Sequence, residues 1–269
     1  MKELVIVRGG GDLATGTIYK LYKCGFSVLI LEVQNPSAIR RNVAFSEAVY
    51  EGSQKVEDVT CYLADSIEEA KVLLQEGKLV VLVDPEGNVI TQLKPLAVVD
   101  AILAKKNLGT SKCMAPITVA LGPGFEAGVD VDAVIETKRG HNLGRVLWEG
   151  CAFPNTGIPG IIGGYGKERV IHSPSEGIVR NVCKITDTVS KGQEIAVVET
   201  ENENVSVVAT IDGLLRGLIR DGYPVTKGFK IADIDPRTEE YQNCFTISDK
   251  ARCIAGGVIE AILELKGER

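Results

Sequence analysis

The chain has 269 residues, of which 45% are hydrophobic and 25% charged, and its formal net charge is −6. This composition is that of an ordinary globular protein, long enough for one large domain or two ordinary ones. The acidic balance argues against a general nucleic-acid or anionic-membrane binder. The early apolar run is interrupted by glycines, and no apolar stretch is long enough for a transmembrane helix, so we expect a cytoplasmic protein.

The seven cysteines are scattered singly, and the chain has only two histidines. No C-x-x-C pair occurs, so the sequence predicts neither a structural zinc site nor any other metal site, and single cysteines are typical of reduced thiols. Cys113 and Cys151 lie nearest the expected ligand loops. We interpret both as ordinary thiols, because buried structural cysteines are the common case.

The N-terminal segment predicts a buried strand, a glycine turn and the start of a helix. Gly9, Gly11 and Ala14 have the spacing G-x-G-x-x-A that follows the first strand of dinucleotide-binding folds. Backbone amides and the helix dipole then form an anion site. The alternative is a glycine turn that only packs strand against helix. The predicted ligand residues of this turn are Gly9, Gly10, Gly11, Asp12, Leu13, Ala14, Thr15 and Gly16.

Two features of the neighbouring sequence bear on this site. Glu32 ends a second apolar run, about 20 residues after the turn, where an acidic partner for a ribose hydroxyl is expected. Asp12 would repel an anion unless it points away or caps the helix, and we interpret it as a cap.

Arg40 and Arg41 follow in a segment that predicts a short helix beginning near Ser37. This is the region where a dinucleotide fold contacts the ribose or its phosphate, and Arg suits bidentate phosphate recognition. A solvated basic pair is the alternative.

The next part of the chain alternates strand and helix patterns. We expect helices at 67–76 and 95–106 around a buried strand at 79–83. Such alternation favours a parallel sheet covered on both sides, which makes the N-terminal region Rossmann-like.

Beyond residue 113 the sequence predicts strands at 116–121 and 131–136, followed by a basic, glycine-containing loop at 137–145. Arg139 and His141 of this loop are further ligand candidates, because open parallel sheets bind ligands at their carboxyl edge. A structural, hydrogen-bonded histidine is the alternative for His141.

The second half predicts a small all-β domain. Residues 189–195 and 225–231 both read Val-x-Lys-Gly-x-x-Ile, which indicates a duplicated hairpin unit. They resemble the barrel-sandwich fold of biotinyl and lipoyl carriers, although the expected tip, 199–204, has no lysine to modify. Fold does not fix function, so such a module could serve recognition instead.

These patterns together predict an α/β Rossmann-like N-terminal region, a small all-β barrel-sandwich-hybrid-like domain and a C-terminal helix. We expect the last helix at about 250–265, capped by Ser248 and Asp249. The predicted boundaries are 1–156 for the ligand-binding domain, 157–168 for a glycine-rich connection, 169–236 for the barrel and 237–269 for the C-terminal segment.

Five stretches resemble one family, the YqeB-type proteins. They lie at 8–16, 38–48, 136–146, 154–157 and 248–252. Proteins of this type are accessory factors of the selenium-dependent molybdenum hydroxylase system and are distantly related to the XdhC/CoxI maturation factors. The resemblance covers nearly the whole chain.

The resemblance implies a maturation role: binding a nucleotide-bearing molybdenum cofactor, or assisting its modification and insertion. It also implies two partners, the hydroxylase apoenzyme and a chalcogen donor, and it allows a homo-oligomer. Under this role a cysteine that carries sulfur or selenium stays an alternative to ordinary thiols, and the sequence indicates no particular one. The expected ligand is a molybdopterin-type cofactor or NAD(P). Two alternatives stay open: an NAD(P)-dependent oxidoreductase with His141 as acid-base, and a nucleotide-sensing adaptor without catalysis. The sequence leaves open whether the protein is an enzyme.

Overall fold

The computed structural model describes residues 2–155, 157 and 160–267. Thr156, Ile158 and Pro159, at or within the predicted glycine-rich connection, lie outside the described residues. The chain forms two compact units. Unit 1 comprises 1–36, 44–156 and 247–269, and unit 2 comprises 37–43 and 157–246. Each unit is therefore built from segments that are distant in sequence, and the C-terminal segment belongs to unit 1.

Unit 1 is built on a nine-stranded mixed sheet with the order β10-β9-β7-β6-β1-β2-β5-β4-β3. A separate two-stranded pair joins β8 and β11. The strands of unit 1 are β1 (Leu4–Arg8), β2 (Ser27–Glu32), β3 (Ser53–Val56), β4 (Val59–Ala64), β5 (Leu79–Val83), β6 (Ala97–Asp100), β7 (Ile117–Leu121), β8 (Glu126–Ala127), β9 (Ala133–Ile135), β10 (Val146–Leu147) and β11 (Gly150–Cys151).

The centre of this sheet is parallel and its two edges are antiparallel. β1 pairs in parallel with β2 on one side and with β6 on the other, whereas β3 and β10 pair antiparallel with their neighbours. The central strands are continuous runs of buried Val, Ile and Leu, as strands covered on both faces require. All parallel strands therefore end at one common edge, which carries the candidate site.

Two helices of unit 1 begin at the serine caps that the sequence predicts. Its helices are α1 (Asp12–Lys23), α2 (Ala48–Glu51), α3 (Ile67–Gln75), α4 (Ile90–Leu93) and α5 (Asp249–Gly267). The Ser66 hydroxyl accepts a hydrogen bond from the Glu69 amide, and the Ser248 hydroxyl accepts one from the Ala251 amide. The predicted starts of α3 and α5 are thus confirmed, and both follow from ordinary serine N-capping.

Unit 2 contains two four-stranded antiparallel sheets, in the orders β12-β19-β17-β14 and β16-β15-β13-β18. The two copies of the sequence repeat form the same strand–turn–strand arrangement, β14 to β15 and β18 to β19. Its strands are β12 (Val170–His172), β13 (Gly177–Asn181), β14 (Thr188–Val189), β15 (Glu194–Glu199), β16 (Asn204–Val208), β17 (Gly213–Leu218), β18 (Pro224–Val225) and β19 (Lys230–Asp235).

The predicted fold class, a Rossmann-like region plus a barrel-sandwich-hybrid-like domain, is wrong. Unit 1 has a mixed sheet with antiparallel edges, and unit 2 has two separate antiparallel sheets. Regular strand–helix alternation also fails, because only the four-residue α4 separates β5 from β6 and the chain between β6 and β7 holds a single 3-10 turn, Lys112–Met114. Two local predictions account for the error.

The helix predicted at 95–106 is instead β6, followed by a loop. Leu96, Val99 and Ile102 have helical spacing, but all four residues of β6 are buried and pair with β1 and β7. The sheet contacts override the helical pattern. The short helix predicted near Ser37 is likewise replaced by 3-10 turns at Arg41–Val43 and Phe45–Glu47.

Among the described residues, no helix is both long and apolar enough to cross a membrane.

Candidate functional site

The glycine turn joins the end of β1 to the start of α1 at the carboxyl edge of the sheet. Gly9 has a φ of +92°, and a Cβ there would come within 3.0 Å of the carbonyl oxygen of Ala101. Both the positive φ and the close backbone approach require glycine at this position. Gly9 therefore makes the tight turn, as its place in the motif predicts.

Glu32, at the end of β2, holds the turn through backbone hydrogen bonds. Its carboxylate accepts one from the Gly10 amide at 2.7 Å and one from the Val33 amide at 2.8 Å. The other side of the turn is closed by Ser46, whose amide donates to the Gly10 carbonyl at 2.9 Å. The Glu32 carboxylate, which the sequence predicts as a ligand of a ribose hydroxyl, thus accepts hydrogen bonds from the protein's own backbone.

Burial raises the pKa of the Glu32 carboxyl, and the two amide hydrogen bonds offset this only in part. A carboxyl whose pKa is higher in the folded protein than in the unfolded chain stabilises the fold at pH values below its unfolded-state pKa, which is near 4.3. This stabilisation is lost as the pH rises through the folded-state pKa. We therefore expect wild type to lose stability relative to Glu32→Gln as pH rises from about 4 to 7. The slope for one proton is at most about 1.4 kcal/mol per pH unit.

Urea unfolding of both proteins at a series of pH values measures this difference. Glu86→Gln is the control, because it removes an exposed carboxylate from the same unit. The raised pKa of Glu32 would be contradicted if the difference in unfolding free energy between wild type and Glu32→Gln did not change with pH. It would also be contradicted if wild type became the more stable of the two as the pH rises.

The amino terminus of α1 has no side-chain cap. Gly11 is the N-cap, it makes no side-chain cap hydrogen bond, and a Cβ on it would meet nothing within 4 Å. Among the described residues, the amides of Gly11 and Leu13 have no hydrogen-bond acceptor. Asp12 is the first residue of the helix and not its cap. These donors lie at the positive end of a twelve-residue helix.

The remaining motif residues pack α1 against its surroundings. Ala14 is buried, and the buried Thr15 hydroxyl donates to the Gly10 carbonyl while accepting from the Phe45 amide. A Cβ on Gly16 would lie 2.7 Å from the carbonyl oxygen of Ala251. Gly16 thus lets α5 approach α1 closely.

The helices α1 and α5 run side by side in the same direction. Gly16 meets Ala251 near their amino termini, while Cys24 and Ile259 line one surface cavity toward their carboxyl ends. Both amino termini therefore lie at the carboxyl edge of the sheet. Two helix dipoles present their positive ends to the same region.

Lys250 lies in the first turn of α5, beside the amino terminus of α1. The side chain is half-buried, and among the described residues its ammonium has no hydrogen-bond or ion-pair partner. Burial, and then the nearby Arg139 guanidinium, lower the pKa of Lys250, while the carboxylates of Asp12, Glu136 and Asp249 oppose that shift. A half-buried amine in such a cluster is a functional-site candidate.

Arg139 reaches this cluster from the loop after β9. Its guanidinium binds the Asp249 carboxylate through two hydrogen bonds, both 2.8 Å long, and this ion pair raises the pKa of Arg139. The buried Glu136 carboxylate accepts from the amides of Lys138 and Phe153, which fixes the loop. The carboxylates of Glu136 and Asp249 are thus engaged by protein groups.

The structure groups only some of the predicted ligand residues. The glycine turn, Glu32 and Arg139 belong to unit 1, and His141 is exposed in the same loop as Arg139. Arg40 and Arg41 belong to unit 2. There Arg40 donates to the carbonyls of Asn243 and Thr246, and Arg41 to that of Leu218. Ligand contacts for these residues stay predictions.

Lys250 is the site residue that sequence reasoning missed. Cations are unfavourable in the first turn of a helix, so a lysine directly after a serine cap and an aspartate is unusual. That misplaced charge is a signal readable from the sequence. In the part of the chain that the structure describes, no group of three or more His, Cys, Asp or Glu side chains is placed to hold a metal ion.

One curated relative matches nearly the whole chain. It is the "Uncharacterized protein YqeB" of Escherichia coli strain K12, which is 51% identical over 263 residues, or 98% of this chain. The chain spans 48% of the length of that relative. No protein-family model matches the chain.

Several solved structures resemble the chain weakly. The ectoine utilization protein EutE (DoeB) from Ruegeria pomeroyi has a TM-score of 0.26 at 9% identity, covering 87% of this chain and 86% of that one. An aspartoacylase family protein from Mesorhizobium loti has a TM-score of 0.27 at 12% sequence identity, and the match covers 87% of this chain and 84% of that one. A succinylglutamate desuccinylase/aspartoacylase from Rhodobacter sphaeroides has a TM-score of 0.27 at 12% sequence identity, and the match covers 87% of this chain and 85% of that one.

These comparisons correct the predicted function. The structures found include aspartoacylase and desuccinylase-type proteins. The predicted accessory role, with its oxidoreductase and nucleotide-sensing alternatives, is therefore wrong, as is the molybdenum-cofactor, nucleotide-binding description. With TM-scores of 0.26 and 0.27, the likeness transfers no hydrolase activity to this chain either.

Proposed function

We propose that unit 1 binds a small anionic molecule, through its phosphate or carboxylate group, at the amino terminus of α1. The observation that carries the proposal is that, in the part of the chain that the structure describes, the amides of Gly11 and Leu13 have no acceptor and the Lys250 ammonium near them has no ion-pair partner. Amides at a helix amino terminus are a common anion site. Arg139 supplies a second cation at the same edge.

The charge balance of the cluster is consistent with this proposal. Asp249 is paired with Arg139, and Glu136 accepts two backbone amides. Asp12 lies in the first turn of α1 and also acts on the charge of Lys250, so its carboxylate opposes an anion. The site is therefore suited to a small anion held by directed hydrogen bonds, in a protein whose net charge of −6 disfavours large polyanions.

Isothermal titration calorimetry with pyrophosphate at low ionic strength tests the proposal. We expect saturable binding of one pyrophosphate per chain that weakens as salt is added, because exposed charge interactions are screened. Parallel titrations with inorganic phosphate and succinate distinguish phosphate from carboxylate ligands. Absence of binding for all three probes at millimolar concentration would contradict the proposed function.

The variant Asp12→Asn is expected to bind pyrophosphate about three to ten times more tightly than wild type. It removes the acidic side chain of the first turn of α1, and one charge interaction at about 4 Å is worth roughly 1 kcal/mol in water. Loss of the favourable charge in the first turn of α1 costs about 0.3–1 kcal/mol of stability. Calorimetry measures the affinity, and unchanged or weaker binding would place the anion elsewhere.

The predicted ligands, a molybdopterin-type cofactor or NAD(P), stay predictions. The proposal commits to the anionic group alone, because the rest of a ligand would contact surfaces that these residues do not define.

A further inference from the structure

We propose that Lys250 forms an imine with the ligand, so that the natural ligand is a small anionic aldehyde or ketone. This inference rests on the proposed function, since the amides at the amino terminus of α1 would hold the anionic group while the Lys250 amine meets the carbonyl carbon. It adds a covalent contact and a substrate class to that site.

The first support is the position of the amine. Lys250 is half-buried in the first turn of α5, and the close contact of Gly16 with Ala251 brings this turn against α1. Among the described residues no carboxylate lies within ion-pair distance of the ammonium. A lysine that serves only as a structural cation normally has such a partner when it is buried. This amine is available to a ligand.

The second support is the set of groups around the amine. Arg139 lies near Lys250 and favours its neutral form, as burial also does. Lysines that attack carbonyl groups are activated in these two ways, by desolvation and by a neighbouring cation. The carboxylates of Asp12, Glu136 and Asp249 oppose this effect, so the amine lies among groups of both charges.

The step balances without an oxidant or a reductant. The neutral Nζ attacks the carbonyl carbon, and its lone pair forms the new carbon–nitrogen bond while the carbonyl π electrons move to oxygen. Proton transfers convert this adduct into a carbinolamine. A proton from solvent water is added to the carbinolamine oxygen, the carbon–oxygen bond breaks with release of water, and the nitrogen lone pair forms the second carbon–nitrogen bond, which gives the protonated imine.

The test uses pyridoxal 5'-phosphate as a probe that carries both an aldehyde and a phosphate, followed by borohydride reduction and peptide mass mapping. With one equivalent of probe we expect Lys250 to be labelled at least about tenfold more than any other lysine, because the anion site raises its effective concentration. Excess pyrophosphate should reduce the labelling. Lys250→Arg is the matched control, since it keeps the cation but cannot form an imine.

The outcomes separate this inference from the proposed function. Pyrophosphate binding without preferential labelling of Lys250 overturns the imine and leaves the anion site standing. Preferential labelling of Lys250 by unphosphorylated pyridoxal, in a protein that binds no pyrophosphate, supports the imine and overturns the anion site. Labelling spread evenly over the lysines, with no pyrophosphate binding, overturns both. Preferential labelling of Lys250 in a protein that binds pyrophosphate, with the labelling reduced by excess pyrophosphate, supports both.

Discussion

Replacing Gly257 by alanine is expected to destabilise unit 1 by about 3 kcal/mol, the upper part of the usual range for overpacking. A Cβ at this buried position in α5 would overlap the carbonyl oxygen of Gly144 and lie 3.0 Å from the Ile135 side chain. The first of these atoms belongs to the backbone, so a rotamer change cannot relieve the clash. Gly144 has little room to move, because it packs against Cys253 of the same helix.

The neighbouring change, Gly256→Ala, is the matched control and should stabilise the protein by about 0.5–1 kcal/mol. A Cβ on Gly256 would meet nothing within 4 Å, so only the better helix propensity of alanine remains. Fluorescence of the single tryptophan, Trp148, follows the unfolding of unit 1 in urea. Equal effects at the two positions would show that α5 does not pack closely against the loop that contains Gly144.

The variant Gly11→Asp is expected to lower pyrophosphate affinity at least about tenfold while leaving stability unchanged or slightly higher. Gly11 has an extended conformation, with φ −67° and ψ −178°, that suits an aspartate N-cap. The new carboxylate would accept from the Leu13 amide and repel an anion. Capping by Asp in place of Gly is worth a few tenths of a kcal/mol, and the helix dipole adds about 0.3–1 kcal/mol.

The opposite signs of these two effects make the prediction specific. Gly11→Asn is the control, because it offers the same cap without the charge and should weaken binding less than Gly11→Asp. Calorimetry gives the affinity and a thermal melt gives the stability of each variant. If Gly11→Asp binds pyrophosphate as tightly as wild type, the anion does not contact this helix terminus.

The sequence was sufficient for features that depend on neighbouring residues. Ser66 and Ser248 cap α3 and α5 as predicted, because an N-cap needs only a serine and the amides that follow it. The turn at Gly9 follows from the same kind of local constraint, since it joins β1 directly to α1. Strands β1, β2 and β5 were readable as continuous buried runs.

Features that depend on distant residues were not readable. The strand β6 has a helical apolar pattern, and only its pairing with β1 and β7 makes it a strand. Glu32 has the sequence position of a ribose ligand, yet its carboxylate accepts the Gly10 and Val33 amides. Lys250 joins the site because α5, more than 200 residues beyond the glycine turn, packs against α1.

The segmented construction of unit 1 has a consequence for its biosynthesis. The chain supplies α1 within its first 23 residues, but α5, which packs against α1, lies within 247–269. During translation α5 is synthesised only after unit 2. Until then the surface of α1 that contacts α5 stays uncovered. Completion of unit 1 therefore follows the synthesis of unit 2, and until then the nascent chain exposes an apolar surface of the kind that chaperones bind.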